Sequence, residues 1–172
     1  MKLKYIVSAL IVCVLAAGSA DATVKKAKKS KKENFKLIEA YTQKIAPGTQ
    51  QAPPPTGEHF IIVWKAASYP ETFYWRGKNG FMMCSIQKTH KISKAEAKNF
   101  PPGMVYTSQN VTGDQIHKGD TLEIIPVARG KVRIPDEIPQ NATNTLFYKT
   151  GGSGWLLFPV KNIAKKSDIS MQ

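Results

Sequence analysis

Cysteine is scarce in this chain, and its scarcity excludes a fold held together by disulfides. The sequence contains only Cys13 and Cys84, and Cys13 lies in an N-terminal apolar run that we expect to be removed. A mature chain with one cysteine cannot form an internal disulfide, so its core must stabilise it alone. Cys84 alternates with Met82 and Ile86 and has no neighbouring His or Lys to lower its pKa, which indicates an inert core thiol.

Histidines and acidic residues are also few, which argues against most catalytic and metal-binding patterns. The histidines are His59, His90 and His117, and no two of them have the spacing of a metal-binding pair. The sequence also lacks a C-x-x-C pair, a G-x-S-x-G elbow and a phosphate-binding loop between a strand and a helix. We therefore expect no metal, no cofactor and a non-enzymatic role, with an enzyme whose site is assembled across strands as the less favoured alternative. The nearest approach to a local site is Asp114, His117 and Asp120, which a solvated turn explains better.

The first 22 residues have the pattern of a cleaved signal peptide. Lys2 and Lys4 precede the apolar run Tyr5–Ala17, and the small residues of "GSADA" follow it. The run is shorter than the roughly 20 apolar residues that a membrane-spanning helix needs. We therefore expect export to the periplasm, the cell surface or the medium, with no transmembrane segment in the mature chain. The short signal peptide and the lack of disulfides favour a bacterial source.

Positive charge is concentrated directly after this segment. The chain has a net charge of +13, and residues 23–32 contain lysines without an acidic residue. Like charges repel and the segment has too few apolar residues to order it, so residues 23–33 are predicted to be a disordered leader. In an exported protein this leader would bind anionic envelope polymers or lipid head groups rather than nucleic acid, or would act only as a solubilising spacer. The candidates for binding an anionic surface are Lys25, Lys26, Lys28, Lys29, Lys31 and Lys32.

The rest of the chain has the pattern of an all-β fold. Short β-branched and aromatic runs alternate with turn signals, and only Ser93–Gly103, which opens with a capping box and ends in two prolines, is helical in pattern. About eight strands and one short helix follow from this spacing. We therefore predict a single antiparallel β-sandwich over residues 34–165, with an immunoglobulin-like arrangement as one option. Residues 166–172 are predicted to be a flexible C-terminal tail.

Two segments do not fit a simple strand pattern. Asn34–Ala46 fits a helical stripe, but it also fits a strand face on which Glu39 and Gln43 are misfits. We favour the strand because a hairpin across the following Pro/Gly loop would give it a partner. Pro126, within the strand-like run Asp120–Ala128, indicates an edge strand or a bulge.

Two stretches of similar composition predict two hairpins. Thr72–Ile86 and Thr145–Val160 each contain an aromatic run, a basic residue, a Gly-rich break and a second apolar run. The breaks "GKNG" and "TGGSG" allow the positive φ angles that tight turns require. Duplication of one unit and the shared demands of hairpin turns both explain the similarity.

The aromatic residues of these hairpins are the main candidates for a binding surface. Strand alternation places Phe73 and Trp75 on one face and Tyr74 and Arg76 on the other. Burial of both faces is the commoner explanation, and the alternative is an exposed platform for a sugar or a partner strand. The candidate ligand-binding residues are Tyr74, Trp75, Arg76, Tyr148, Lys149 and Trp155.

These observations favour an exported, non-enzymatic protein that acts in binding or assembly at the bacterial cell envelope. Its partner would be an anionic envelope polymer, a glycan or another protein. A carbohydrate or envelope-polymer binding module that uses the hairpin aromatics is the alternative.

Overall fold

The computed structural model describes residues 28–29, 33–46, 57–78, 80–127, 133–139 and 141–170. These residues are mostly β-structure and form one curled, mixed sheet with the shape of a half-barrel. A separate two-stranded sheet lies beside it. The all-β prediction is therefore confirmed, but a single curled sheet takes the place of the predicted two-sheet antiparallel sandwich.

The described residues form twelve strands and two short 3₁₀ helices, Ala97–Asn99 and Gly113–Gln115. The strands are β1 (Lys28–Lys29), β2 (Phe35–Thr42), β3 (Ile45–Ala46), β4 (Glu58–Trp64), β5 (Pro70–Gly77), β6 (Gly80–Lys91), β7 (Tyr106–Asn110), β8 (Thr121–Val127), β9 (Thr145–Thr150), β10 (Leu156–Pro159), β11 (Ala164–Lys165) and β12 (Ile169–Ser170).

The large sheet has the order β1-β10-β9-β5-β6-β8-β4-β2-β11, and β7 pairs with the second half of the long strand β6. The two outermost pairings, of β1 with β10 and of β11 with β2, are parallel. The remaining pairings within this sheet are antiparallel. In the small sheet, β12 runs parallel to β3. The sheet is therefore mixed only at its ends, where short segments join it.

The curl of the sheet brings strands from its two ends into contact around an inner core. The Phe35 ring on β2 lies 4.8 Å from the Phe158 ring on β10 and 5.2 Å from the Tyr148 ring on β9, measured between centroids. Trp64 and Phe73 also contact Phe35. All of these residues except Phe158 are fully buried, so the concave face holds the largest apolar cluster.

The two predicted hairpins are confirmed, and both of their faces are covered. β5 pairs with β6 up to Gly77 and Gly80, and β9 pairs with β10. Phe73 and Trp75 face the inner core. On the opposite face Tyr74 and Trp155 belong to a second apolar cluster, to which the segment 133–139 contributes Ile138.

Within the segment Asn34–Ala46, β2 pairs with β4, as favoured, and Ile45–Ala46 form the separate strand β3. A bulge explains the irregular pattern of β2. The register shifts between Leu37 and Glu39, and the side chain between them, Ile38, is 48% exposed. A bulge inserts one unpaired residue, so side chains beyond it change faces relative to a regular strand. Phe35 therefore faces the inner core, whereas Glu39 and Tyr41 form contacts on the other face.

Two proline-linked predictions require correction. Ser93 and Glu96 exchange the hydrogen bonds of a capping box, at 2.9 and 3.3 Å, but only the 3₁₀ helix Ala97–Asn99 follows. The prolines at 101 and 102 have no backbone N–H to donate, so the helix cannot extend beyond Phe100. Pro126 does not mark an edge strand, because β8 lies between β4 and β6. It is tolerated because the β4–β8 ladder ends at Ile124, beyond which Pro126 pairs only with β6.

The two ends of the described chain differ from the predicted leader and tail. Lys28–Lys29 pair with Leu156 and Leu157 of β10. Four of the candidate surface-binding lysines, Lys25, Lys26, Lys31 and Lys32, lie outside the described residues. At the other end, the predicted flexible tail contributes β12, and Ile169 is buried.

Replacing Phe35 by Ala should cost about 3–5 kcal/mol of unfolding free energy, because it leaves a cavity among aromatic rings from both ends of the sheet. The matched control in the same strand is Ile38→Ala, which should cost less than about 1 kcal/mol because its side chain is half exposed. Urea denaturation measures both variants. Equal losses for the two would contradict the assigned core.

Candidate functional site

A cluster of buried polar side chains lies on the outer face of β2, β4, β6, β7 and β8. Strand alternation places it there, because Phe60 and Ile124 point into the inner core and their neighbours His59 and Glu123 point away from it. The side chains of His59 and Glu123 are only 5% and 8% exposed. Polar groups are rarely buried this deeply without partners, so their contacts define the site.

Glu123 is the centre of this cluster. One of its oxygens, Oε1, lies 2.8 Å from His59 Nδ1 and accepts a hydrogen bond from the Tyr41 hydroxyl at 3.4 Å. The other oxygen accepts from the Ser108 hydroxyl, which also lies 2.8 Å from the Thr89 hydroxyl oxygen. One carboxylate on β8 therefore contacts side chains from three other strands, and Ser108 links it to Thr89 on a fourth strand, β6.

The hydrogen bonds decide the charge state of Glu123. Burial alone would raise the pKa of this carboxyl, but the hydrogen bonds from His59, Ser108 and Tyr41 and the charge interaction with His59 lower it overall. Glu123 is therefore held as a carboxylate in a site with little water.

The order of these groups does not match that of a hydrolytic triad. In a triad the histidine stands between the nucleophile and the acid, so that it can take the proton of the nucleophile. Here Glu123 stands between Ser108 and His59. His59 Nε2 is buried and has no hydrogen-bond partner. The arrangement holds charge in place, and the His59 imidazole does not contact the Ser108 hydroxyl.

A second group of charged and aromatic side chains adjoins the first through Tyr41. The Tyr41 ring stacks on the His59 ring at 4.9 Å with an interplanar angle of 7°. Lys166 Nζ lies 3.6 Å from the centroid of the Tyr41 ring and 2.7 Å from Glu39 Oε1. Tyr106 on β7 donates to Glu39 Oε2 at 3.2 Å and has its ring 5.5 Å from the same ammonium nitrogen. We call Glu39, Tyr41 and Tyr106 the ammonium cage.

Both tyrosines of the cage remain protonated at neutral pH. Burial raises the pKa of Tyr41, and the carboxylates of Glu123 and Glu39 raise it further. Burial and Glu39 likewise raise the pKa of Tyr106. Each phenol is therefore a neutral ring and a hydrogen-bond donor, as a cage for a cation requires.

The lysine in the cage belongs to an extended segment along β2 and β3, which we call the tail segment (residues 164–170). β11 pairs in parallel with Tyr41 and Thr42. The Lys166 N–H donates to the Thr42 carbonyl at 2.9 Å, and the Ile169 N–H donates to the Lys44 carbonyl at 2.9 Å. The tail segment therefore continues the sheet as an added edge strand.

The six hairpin residues predicted to bind ligand do not share a surface. Trp75 and Tyr148 are buried in the inner core. Trp155 is buried on the outer face, where Lys149 Nζ lies 4.9 Å from its ring centroid. Tyr74 packs against Trp155, and Arg76 is partly exposed. Their role as binding residues remains a prediction, with Tyr74, Arg76 and Lys149 the members that retain solvent contact.

The histidines have separate partners. His90 is exposed and lies 3.8 Å from Glu96, and His117 is an exposed turn residue whose N–H donates to Asp120. Within the described ranges, no three His, Cys, Asp or Glu side chains are grouped as a metal site would require.

The described residues also contain no helix long and apolar enough to cross a membrane.

The sequence patterns did not identify Glu123, Ser108, Tyr106 or Lys166 as site residues. The sequence nevertheless contained one signal that is relevant to the site. Glu39 and Gln43 were misfits on the predicted strand face. Glu39 belongs to the ammonium cage, and Gln43 donates to the Ser167 carbonyl at 2.7 Å. Polar residues that interrupt an otherwise apolar strand face therefore pointed to the site.

The lowered pKa of Glu123 predicts a loss of stability in acid. A carboxyl whose pKa is lower in the folded than in the unfolded chain stabilises the fold above the unfolded value of about 4.3, and this contribution is lost as the pH falls through the folded value. Glu123→Gln should cost about 3 kcal/mol at pH 7 and should flatten the dependence of stability on pH below about 4.3.

Unfolding free energies measured between pH 7 and pH 3 test this prediction, with the exposed residue Glu71 replaced by Gln as the control. The control should follow the unmodified protein at every pH. Parallel curves for Glu123→Gln and the unmodified protein would contradict the assigned role of this carboxylate.

Comparison with protein-family models, with curated proteins and with solved structures found no match to this chain.

Proposed function

We propose that this is an exported, non-enzymatic protein that acts in binding or assembly at the cell envelope by accepting an extended segment along β2 and β3. The tail segment itself supports the proposal. It lies along this edge, forms backbone hydrogen bonds with it and packs two of its side chains against it. The signal-peptide pattern of residues 1–22 supports export. The order of Ser108, Glu123 and His59 supports a binding role, because the His59 imidazole does not contact the hydroxyl as it would in a hydrolytic triad.

Strand addition explains how the edge would recognise a segment. An extended peptide on an open sheet edge gains affinity from main-chain hydrogen bonds and specificity from its alternate side chains. Besides the backbone bonds, the Gln43 side chain donates to the Ser167 carbonyl at 2.7 Å, and the Lys44 N–H donates to Asp168 Oδ1 at 3.2 Å. The edge therefore holds its occupant at almost every residue from Lys166 to Ile169.

Two side chains of the tail segment supply the specificity. Parallel pairing sets Ala164 beside Tyr41, so alternation places Lys166 on the same face, over the Tyr41 ring. Ile169 is buried, and Gly103 lies close to it. A lysine followed three residues later by an aliphatic residue is therefore the pattern that this edge accepts.

The occupant that we propose for assembly is the tail segment of a second copy of the chain. The tail segment is joined to the body through the short connection 160–163, and each of its two strands pairs over only two residues. Exchange between two copies would re-form every contact of the tail segment, and only the connection would change, which is the basis of strand swapping. Such exchange depends on concentration, because the attached segment competes with the incoming one.

Disulfide trapping between two variants tests this exchange. Lys165 pairs with Thr42, so Thr42→Cys in one chain and Lys165→Cys in a tagged second chain should form a covalent heterodimer when the tail segments exchange. The yield should rise with protein concentration. The control replaces Thr42→Cys by Glu71→Cys, which is exposed and is not a pairing partner of the tail segment. A heterodimer yield no greater than that of the control would overturn the proposed assembly.

A further inference from the structure

The environment of the Lys166 ammonium group differs from that of an ordinary surface ion pair. Its nitrogen lies 3.6 Å from the Tyr41 ring centroid, 5.5 Å from the Tyr106 ring centroid and 2.7 Å from Glu39 Oε1. The Lys166 side chain is only 19% exposed. Two ring faces and a carboxylate around one cation are the elements from which proteins build ammonium-binding sites.

We propose that Glu39, Tyr41 and Tyr106 form a binding site for ammonium ligands, and that Lys166 is its built-in occupant. This inference deepens the proposed function, since it names the chemical group that the edge recognises in an incoming segment. The biological use of the site depends on the proposed function. The existence of the site does not, because ammonium binding can be tested without any exchange between chains.

The cage is held in shape by contacts that do not involve Lys166. The Tyr41 ring stacks on the buried His59 ring, and its hydroxyl donates to Glu123 at 3.4 Å. The Tyr106 hydroxyl donates to Glu39 at 3.2 Å, which fixes the second ring relative to the carboxylate. Because these contacts hold the cage residues in place without Lys166, the cage is preorganised and should persist when Lys166 is removed.

The same geometry determines which cations the site prefers. Glu39 at 2.7 Å requires a donor on the cation, which a primary ammonium has and a quaternary ammonium lacks. The negative charges of Glu39 and Glu123 disfavour anions. The ligand class is therefore a primary ammonium group at the end of an unbranched alkyl chain, as in a lysine side chain on an extended segment.

Chemical rescue of a Lys166→Ala variant of the full chain tests the site. This substitution removes a propylammonium fragment and should lower the thermal midpoint by several degrees. Millimolar n-propylammonium should then raise the midpoint of the variant in a saturable manner and leave the unmodified protein unchanged. It should also shift the NMR resonances of the Tyr41 and Tyr106 rings in the variant.

Three controls separate binding in the cage from general solvent effects. Neutral 1-propanol should not rescue the variant, because it carries no charge. Tetramethylammonium should rescue it less, since it cannot donate to Glu39. The double variant Lys166→Ala with Glu39→Gln should fold and lose most of the response to n-propylammonium.

The outcomes distinguish this inference from the proposed function. A response to n-propylammonium no larger than that to 1-propanol, or an equal response in the double variant, would overturn the ammonium site. If Lys166→Ala does not fold, Lys166→Met takes its place, because methionine is unbranched and apolar but carries no charge. A thermal midpoint of Lys166→Met equal to that of the unmodified protein would also overturn the site. If n-propylammonium rescues the variant but no disulfide-linked heterodimer forms, the ammonium site is supported and the exchange of tail segments is contradicted. If the heterodimer forms but n-propylammonium does not rescue the variant, the exchange is supported and the ammonium site is contradicted.

Discussion

The packing of Phe35 against rings from the opposite end of the sheet is the interaction on which the rest of the structure depends. Phe35 stands near the start of β2, and its contacts with Tyr148 and Phe158 keep the sheet curled. Curling gives a ten-stranded sheet a concave face that can be filled by its own side chains, without a second sheet. Burial of these aromatic rings, together with the aliphatic side chains around them, stabilises that face.

The position of β7, which pairs with the second half of the long strand β6, determines what is buried on the outer face. The Tyr106 hydroxyl on β7 reaches Glu39 on β2, although β6, β8 and β4 lie between these strands in the sheet. This closeness buries Glu123 and His59, whose desolvation is unfavourable unless their polar atoms are paired. The hydroxyls of Tyr41 and Ser108 offset that cost at Glu123. The rings of Tyr41 and Tyr106 also contact the Lys166 ammonium group. The buried polar cluster and the ammonium cage therefore form one connected structure.

Some of this architecture could be read from local patterns. The hairpins at Thr72–Ile86 and Thr145–Val160 follow from their turns, because a Gly-rich break constrains the few residues that form it. Alternation places Trp75 on the same face as Phe73, but it left open whether that face is a core or a binding platform, and only the structure buries Trp75. The two-sheet sandwich did not follow, since a series of short strands fits one curled sheet as well as two packed sheets. The bulge at Ile38 was also beyond local reasoning, although the misfits Glu39 and Gln43 marked its consequences.

By itself, the sequence determined the β character of the chain, its hairpins, and the independence of its fold from disulfides, because these depend on neighbouring residues and on composition. The tertiary structure decided which faces are buried, how Glu123 keeps its charge, and that Lys166 enters a cage of Glu39, Tyr41 and Tyr106. These features join residues more than sixty positions apart. Such contacts arise only from the arrangement of the strands in three dimensions, and no periodicity within one strand encodes them.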